Sequence, residues 1–295
     1  MSKLKRVQPF DVFNYLFMFL LMVIMIYPFL NVLSTSLSTP SAINAGMVTF
    51  FPRGFNLVGY KYIIEDGRIF TGYRNTILYA GVGTLLTLTL TSLAAYALTR
   101  KQLVGRKFFN IYWAITMFFG GGTVPTYLII KDLGLLDTFA VMVIPGCVGA
   151  YTLFVFRSFM YSLPNDLMEA AYIDGAGEWR VWRSVVLPLS KPLLATYALF
   201  TIVGHWNSWY SALLYLKDTS RHPLQLFLRR IIVQEDMSNT YATTSTTGIL
   251  VSTGQMVKEN AQMAAVVLTI APIMAIYPYI QKYFVKGVMI GSLKG

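Results

Sequence analysis

The residues best suited to recognition chemistry lie between Ser162 and Pro192, in the run SLPNDLMEAAYIDGAGEWRVWRSVVLPLSKP. Asp166, Glu169 and Asp174 set carboxylates among Leu167, Met168, Ala170, Ala171 and Ile173, and Gly175, Ala176 and Gly177 keep the following backbone nearly bare. Carboxylates make charge-assisted contacts to a basic groove, and small side chains let a partner approach closely. Covalent chemistry has no comparable candidate. His205 and His222 are the 2 histidines, and neither has a partner at metal-ligand spacing, so no catalytic or metal-binding residue is assigned. Gly175, Ala176 and Gly177 lack the rest of a phosphate loop, and nothing matches GxxxxGK followed by Ser or Thr, so no cofactor is expected in this chain. Cys147 is the single cysteine, which excludes an intrachain disulfide and leaves a small apolar packing residue.

Two short helices must position that stretch. Pro164 with Asn165 or Asp166 supplies a start, the apolar residues recur at helical spacing, and Gly175 and Gly177 tolerate the left-handed angles that end a helix. A second amphipathic helix follows through Trp179, Val181, Trp182, Val185 and Val186, with Arg180 and Arg183 between them, and closes at Leu187 and Pro188. Such a pair is either a docking knob for a soluble partner or an interfacial pair lying on lipid headgroups.

The elements around the loop read as membrane helices. The chain of 295 residues is 55% hydrophobic, 15% aromatic and only 13% charged, whereas soluble domains carry about 25% charged residues. A bilayer core about 30 Å thick needs roughly 20 apolar residues per helix. Six runs of that kind occur, at about 12–33, 76–98, 108–130, 139–161, 193–216 and 263–285. The first is too long for the apolar region of a secretory signal and reads as a retained helix. The expected fold is therefore an all-α integral membrane protein, one transmembrane domain over 1–295, with a loop at 162–192 and long outer segments at 34–75 and 217–262.

Charge sets the orientation. The connection between the second and third runs carries Arg100, Lys101, Arg106 and Lys107 without an acid, while the next connection carries Lys131, Asp132 and Asp137. With the positive side inside, both termini and the 162–192 loop are cytoplasmic, together with Lys3, Lys5, Arg6, Arg157, Lys191, Lys282, Lys286 and Lys294. The net charge of +11 then reflects topology and contact with anionic membrane lipid rather than nucleic acid, for which no basic stripe interleaved with aromatics exists in a soluble segment.

Glu169, Ala170, Ala171, three residues, Gly175, nine residues, Val185, one residue, Leu187 and Pro188 resemble the EAA loop of binding-protein-dependent ABC importer permeases, departing only in Val185 for Ile. Tyr27 and Pro28, Asn75 and Thr76, Ala94 to Arg100, Pro125 to Asp137, the group Trp206, Asn207 and Trp209, and the closing Gly287 to Gly295 resemble the MalG-type half of carbohydrate importers. The C-terminal third is similar to the LplC-type and AlgM-type branch that handles oligo- and polysaccharides, some of them acidic. The resemblance implies a six-helix, MetI-like permease of the bacterial cytoplasmic (inner) membrane. It implies a heterodimer with a second permease, two ABC ATPase subunits that bind ATP and Mg, an extracytoplasmic solute-binding protein docking on the outer segment 217–262, and a saccharide cargo. On this chain the ATPase contact falls on Met168, Glu169, Ala170, Ala171, Asp174, Gly175, Ala176 and Gly177, with Leu187 and Pro188 closing the motif; Glu169 is the polar contact and Gly175 the turn.

A sugar path needs hydrogen-bonding edges and aromatic faces on inward helix surfaces. The candidates are Thr123, Tyr127, Tyr151, Phe154, His205, Trp206, Asn207, Trp209 and Tyr210, with the Asn207 amide the best motivated because an amide inside a membrane needs a partner or a cavity. Gly120, Gly121, Gly122 and Pro125 interrupt the third run, either for close packing or as a hinge. The competing classes are an ATP-independent carrier or channel and a membrane enzyme. Both call for buried carboxylates or acid–base clusters, and no acidic residue falls deep in the second to sixth runs.

Overall fold

The computed structural model describes residues 9–233 and 259–276, and every regular element among them is helical. The Thr- and Ser-rich stretch from Tyr241 to Thr247, most of the outer segment, the end of the sixth run, both basic termini and the closing Gly287 to Gly295 lie outside the described residues. The chain divides into two compact units, whose described parts are 9–69 with 228–233 and 259–271, and 70–227 with 272–276.

In the first unit, α1 (Pro9–Ser36) has 28 residues; at about 1.5 Å rise per residue that exceeds a ~30 Å hydrocarbon core. Its apolar side chains are exposed on all sides, and only Ser34 and Ser36 at its end are buried. The short helices α2 (Pro40–Asn44) and α3 (Val58–Asp66) follow. Asn260, in the first turn of the helix that begins at Glu259, binds this unit together. Its amide nitrogen donates to the carbonyls of Thr35 (3.0 Å), Ser36 (3.1 Å) and Ser38 (3.1 Å), and its oxygen accepts from the Gly59 amide at 2.6 Å. Gly59 permits that approach, since a Cβ there would lie 2.7 Å from the Asn260 carbonyl oxygen.

The second unit is threaded by α4 (Arg68–Thr99), which is followed by α5 (Arg106–Phe118), α6 (Thr123–Asp132), α7 (Ala150–Tyr161), α8 (Asn165–Ile173), α9 (Glu178–Val181), α10 (Leu187–Leu189), α11 (Lys191–Trp206) and α12 (Trp209–Tyr215); α13 (Leu224–Val233) belongs to the first unit from Leu228 on. A π turn at Trp182–Val186 joins α9 to α10. Completing the set, α14 spans Glu259–Ile276; with α1 and α4 it is long and apolar enough to cross a membrane.

Three of the expected runs are interrupted, the first of them at the glycines that the sequence marked and the other two at breaks it did not. The 108–130 run is α5 and α6 separated by Gly120 to Gly122; Gly122 has φ 81°, and Pro125 falls in the first turn of α6, where its missing N–H costs nothing. No neighbour lies within 4 Å of a Cβ built on Gly120 or Gly122, so this is a break and not a close helix contact. The 139–161 run is helical only from Ala150, because Pro145 and Gly146 (φ 76°) stop the ladder after a 3-10 turn at Ala140–Met142. The 193–216 run divides at Asn207 and Ser208, where the Ser208 hydroxyl donates to the His205 carbonyl at 2.6 Å in competition with the backbone.

Asn75 and Thr76 prove to be joints. The Asn75 amide donates to the carbonyls of Ser220 (2.8 Å) and His222 (3.1 Å), and the Thr76 hydroxyl accepts from the Leu224 amide at 2.9 Å. Asp137, at φ 57°, accepts through its carboxylate from the amides of Lys217 (3.1 Å) and Asp218 (3.0 Å), tying the end of the 125–137 run to the segment after α12.

Candidate functional site

The loop is built from α8 outward. Asp166 sits in its first turn, where a carboxylate favours the helix dipole. Met168 and Ala171, one helical turn apart, pack inward: Met168 is 5% exposed and joins a core with Ala95, Tyr96 and Leu98 of α4, Phe156 and Met160 of α7, and Val181, Trp182 and Val186. Met168, expected among the partner contacts, is thus the anchor of the helix. The opposite face, Asp166, Glu169, Ala170 and Ile173, is exposed, and Ile173 is 86% exposed. The helix closes with two backbone bonds, Ala176 N–H to Ala171 O at 2.9 Å and Gly175 N–H to Tyr172 O at 3.0 Å, with Gly175 at φ 78°. That is the Schellman pattern, and it requires the left-handed residue that Gly175 supplies. Gly177, expected to share that role, has φ −75° and instead opens α9 from extended backbone. Leu187 packs against the same core while Pro188 lies exposed, and the chain then bends by 80° into α11.

A polar cluster fixes this loop to α4. The phenols of Tyr96 and Tyr172 both donate to one oxygen of Glu178, that from Tyr172 at 2.8 Å. Arg100 donates to the Tyr172 hydroxyl at 3.3 Å and lies over the Tyr96 ring, 4.4 Å from its centre. Tyr172 and Glu178 were visible only as unremarkable members of the loop. The sole linear hint of the cluster is the helical i,i+4 spacing of Tyr96 and Arg100. Arg157, placed on the inner side by the charge pattern, donates to Asn110 of α5 and lies over Phe154, 4.9 Å from the ring centre.

Elsewhere in the second unit a cavity of about 650 Å³ opens where the helices break. Its wall combines Thr87 of α4, the irregular stretch from Val143 to Gly149, Tyr151 and Thr152 of α7, Tyr197, Phe200, Thr201 and His205 of α11, and Ser208, Ser211 and Tyr215. Hydroxyls and aromatic rings dominate, and no lining side chain is a carboxylate, ammonium or guanidinium. His205 lies tight against α4: a Cβ on Gly83 would fall 2.2 Å from its Nε2.

Of the expected path residues, the cavity collects Tyr151 and His205. Trp206 is buried edge-on to Tyr73 and lines a separate apolar cavity of about 250 Å³ with Ile77, Ala80 and Leu199. Asn207 is exposed at the helix break and accepts from Gln225 at 3.2 Å. Tyr127 stacks on Tyr215 with ring centres 6.2 Å apart, Phe154 lies under Arg157, and Thr123, Trp209 and Tyr210 are exposed outside the cavity wall. Thr152, Tyr197, Thr201, Ser208 and Ser211 carried no individual signal, because hydroxyl residues at scattered positions converge only once the breaks are in place.

Residues 9–290 match the family described as binding-protein-dependent transport system inner membrane component. The chain is 36% identical over 295 residues to Protein LplC of Bacillus subtilis, covering 100% of this chain and 98% of that protein. It is 34% identical to the polygalacturonan/rhamnogalacturonan transport system permease protein YtcP of the same species, covering 97% and 98% respectively. A chain in the crystal structure of a bacterial ABC transporter involved in the import of the acidic polysaccharide alginate superposes with a TM-score of 0.84 at 30% identity, over 96% of this chain and 99% of that one. A chain whose described residues form only helices, some of them of membrane length, and which is related over nearly its whole length to these permeases, belongs to the binding-protein-dependent transport system inner membrane component family.

Proposed function

We propose that this chain is one of two transmembrane subunits of an ATP-driven carbohydrate importer. The observation that carries the proposal is the division of α8 into two faces. Met168 and Ala171 are locked into the core of the second unit, while Asp166, Glu169, Ala170 and Ile173 stand exposed beside a Schellman turn. Such a helix moves with the bundle and offers carboxylates and small residues to a partner's groove. The partner is an ABC ATPase, present in two copies with ATP and Mg bound there, and its closure passes through α8 as a rigid-body movement.

In this reading the chain crosses the cytoplasmic membrane six times as a single domain, by α1, α4, the broken α5–α6 pair, the run ending in α7, the α11–α12 pair and the helix beginning at Glu259. Both termini and α8 face the cytoplasm. A homologous permease completes the pathway, and a solute-binding protein delivers cargo to the outer segments. The hydroxyl- and ring-lined cavity suits a saccharide, which presents C–H faces to aromatics and hydroxyl edges to Thr, Ser and Tyr. The names of the polygalacturonan/rhamnogalacturonan permease and the alginate importer support an oligo- or polysaccharide, including an acidic one.

Glu169→Lys tests the docking role. In the reconstituted complex it is expected to lower solute uptake by at least about tenfold, roughly the 1.5–3 kcal/mol of a charge-assisted contact, with membrane insertion unchanged. Undiminished uptake would remove the assignment of α8.

A further inference from the structure

Four side chains outside the docking face form a connected polar unit: Arg100 donates to Tyr172, Tyr172 donates to Glu178, and Tyr96 donates to the same Glu178 oxygen. They come from two elements that must move together if the loop is to drive the bundle. Tyr96 and Arg100 lie at the end of α4, while Tyr172 and Glu178 flank the turn at Gly175 that joins α8 to α9. Beside them the packing is open. Tyr96, Arg100 and Glu178 line a cavity of about 350 Å³ together with Leu93, Trp179 and Trp182. At this edge of the loop, directional polar contacts hold the joint where continuous apolar packing stops.

We infer that Glu178 is a positioning residue that latches the α8–α9 turn to α4, so that displacement of the docking helix is delivered to a membrane-spanning helix. The inference rests on the docking role proposed for α8. One carboxylate oxygen that accepts from two phenols fixes a bearing as well as a distance, because both rings must hold their orientation. Arg100 strengthens the arrangement by polarising the Tyr172 hydroxyl that donates to Glu178. The apolar core anchored by Met168 keeps the loop folded; the latch determines how faithfully its motion is passed on.

The test uses the complete importer in lipid nanodiscs or proteoliposomes, with ATP hydrolysis and solute uptake measured on one preparation. Glu178→Ala is expected to leave assembly and ATP hydrolysis in place while raising ATP consumed per solute moved by about fivefold, the factor that goes with losing one or two modest hydrogen bonds. Glu178→Gln keeps an oxygen that accepts both phenols and is expected to restore most of the coupling. Tyr172→Phe removes one hydroxyl from a surface ring, so it carries the test if Glu178→Ala assembles poorly. Added to Glu178→Ala it is expected to cause no further loss, since both act through one contact. An unchanged ratio in the variants of a coupled wild-type importer overturns the latch, as does a parallel fall of uptake and hydrolysis with Glu178→Gln no better than Ala. A wild-type complex whose hydrolysis ignores this chain overturns the docking role and the latch with it.

Discussion

The loop proposed to dock a partner and the cavity proposed to take the solute are built on opposite plans. The loop is a run of consecutive residues whose α8 has one face in a core and the other in solvent, closed by a single left-handed glycine. The cavity has no segment of its own. It forms where helices stop, at Pro145 and Gly146 before α7 and at Asn207 and Ser208 after α11, and is completed by α4, which approaches His205 through Gly83. The difference teaches where each task belongs. A part that passes on force gains from regular, locally closed structure. A part that receives a polar cargo gains from interruptions, because broken helices gather hydroxyls and free backbone groups around space. The two glycines make the contrast concrete: Gly175 is needed for its backbone angle and has nothing within 4 Å of a Cβ, while Gly83 is needed for space.

The largest effect is expected from Gly175→Val, which asks a β-branched residue to hold φ 78° and so strains or reopens the Schellman turn. The left-handed penalty alone is roughly 1–2 kcal/mol. Because the turn aims α8, uptake is expected to fall by more than about tenfold, with Gly175→Asn much milder since Asn tolerates that region. Uptake assays on both variants check this, and equal activities would show that the turn's handedness does not matter to coupling.

Gly83→Ala should act on the cavity and spare the loop. The new methyl falls 2.2 Å from His205 Nε2, so the imidazole must swing, and the space beside it is the cavity. Overpacking of this kind costs about 1–3 kcal/mol. Half-saturation by solute is expected to rise several-fold, while ATPase binding measured by co-purification stays constant. Loss of ATPase binding instead would mean that the two regions are not separable.

The same contrast explains what the sequence alone could reveal. The loop was legible because helical spacing, the start at Pro164 and Asn165, and the Gly175 stop are all local, and their spacing to Leu187 and Pro188 is linear. The inward turn of Met168 was missed, although Ala171 lies one turn away on the same face. Apolar runs were legible as membrane material, and Gly120 to Gly122 with Pro125 already marked the interruption of the third run; the breaks at 145–146 and 207–208 were not legible, since hydropathy averages over the one or two residues that end a helix. Of the path residues expected from sequence, Tyr151 and His205 line the cavity, whereas Trp206 and Asn207 lie outside its wall. Contacts between distant segments could not be paired from the sequence: Tyr96 meets Glu178 across 82 positions, and the Asn260 amide bridges to Ser36 across 224.

The smallest effect separates hydroxyls that are available from those already engaged. Both Thr201 and Ser211 line the cavity, but the Thr201 hydroxyl donates to the Tyr197 carbonyl at 2.8 Å inside α11, whereas the Ser211 hydroxyl makes no hydrogen bond with the described residues. A saccharide can therefore take a donor from Ser211 and only lone pairs from Thr201. Ser211→Ala is expected to raise the solute concentration for half-maximal ATP hydrolysis by about two- to fivefold, consistent with roughly 0.5–1 kcal/mol for one neutral hydrogen bond. Thr201→Val, which keeps the shape, is expected to change it by less than about twofold. If Thr201→Val proves the costlier, cavity shape decides how cargo is held. If both are silent, the solute passes along another surface, and the contrast between an engaged loop and a receptive cavity has to be redrawn around residues outside this wall.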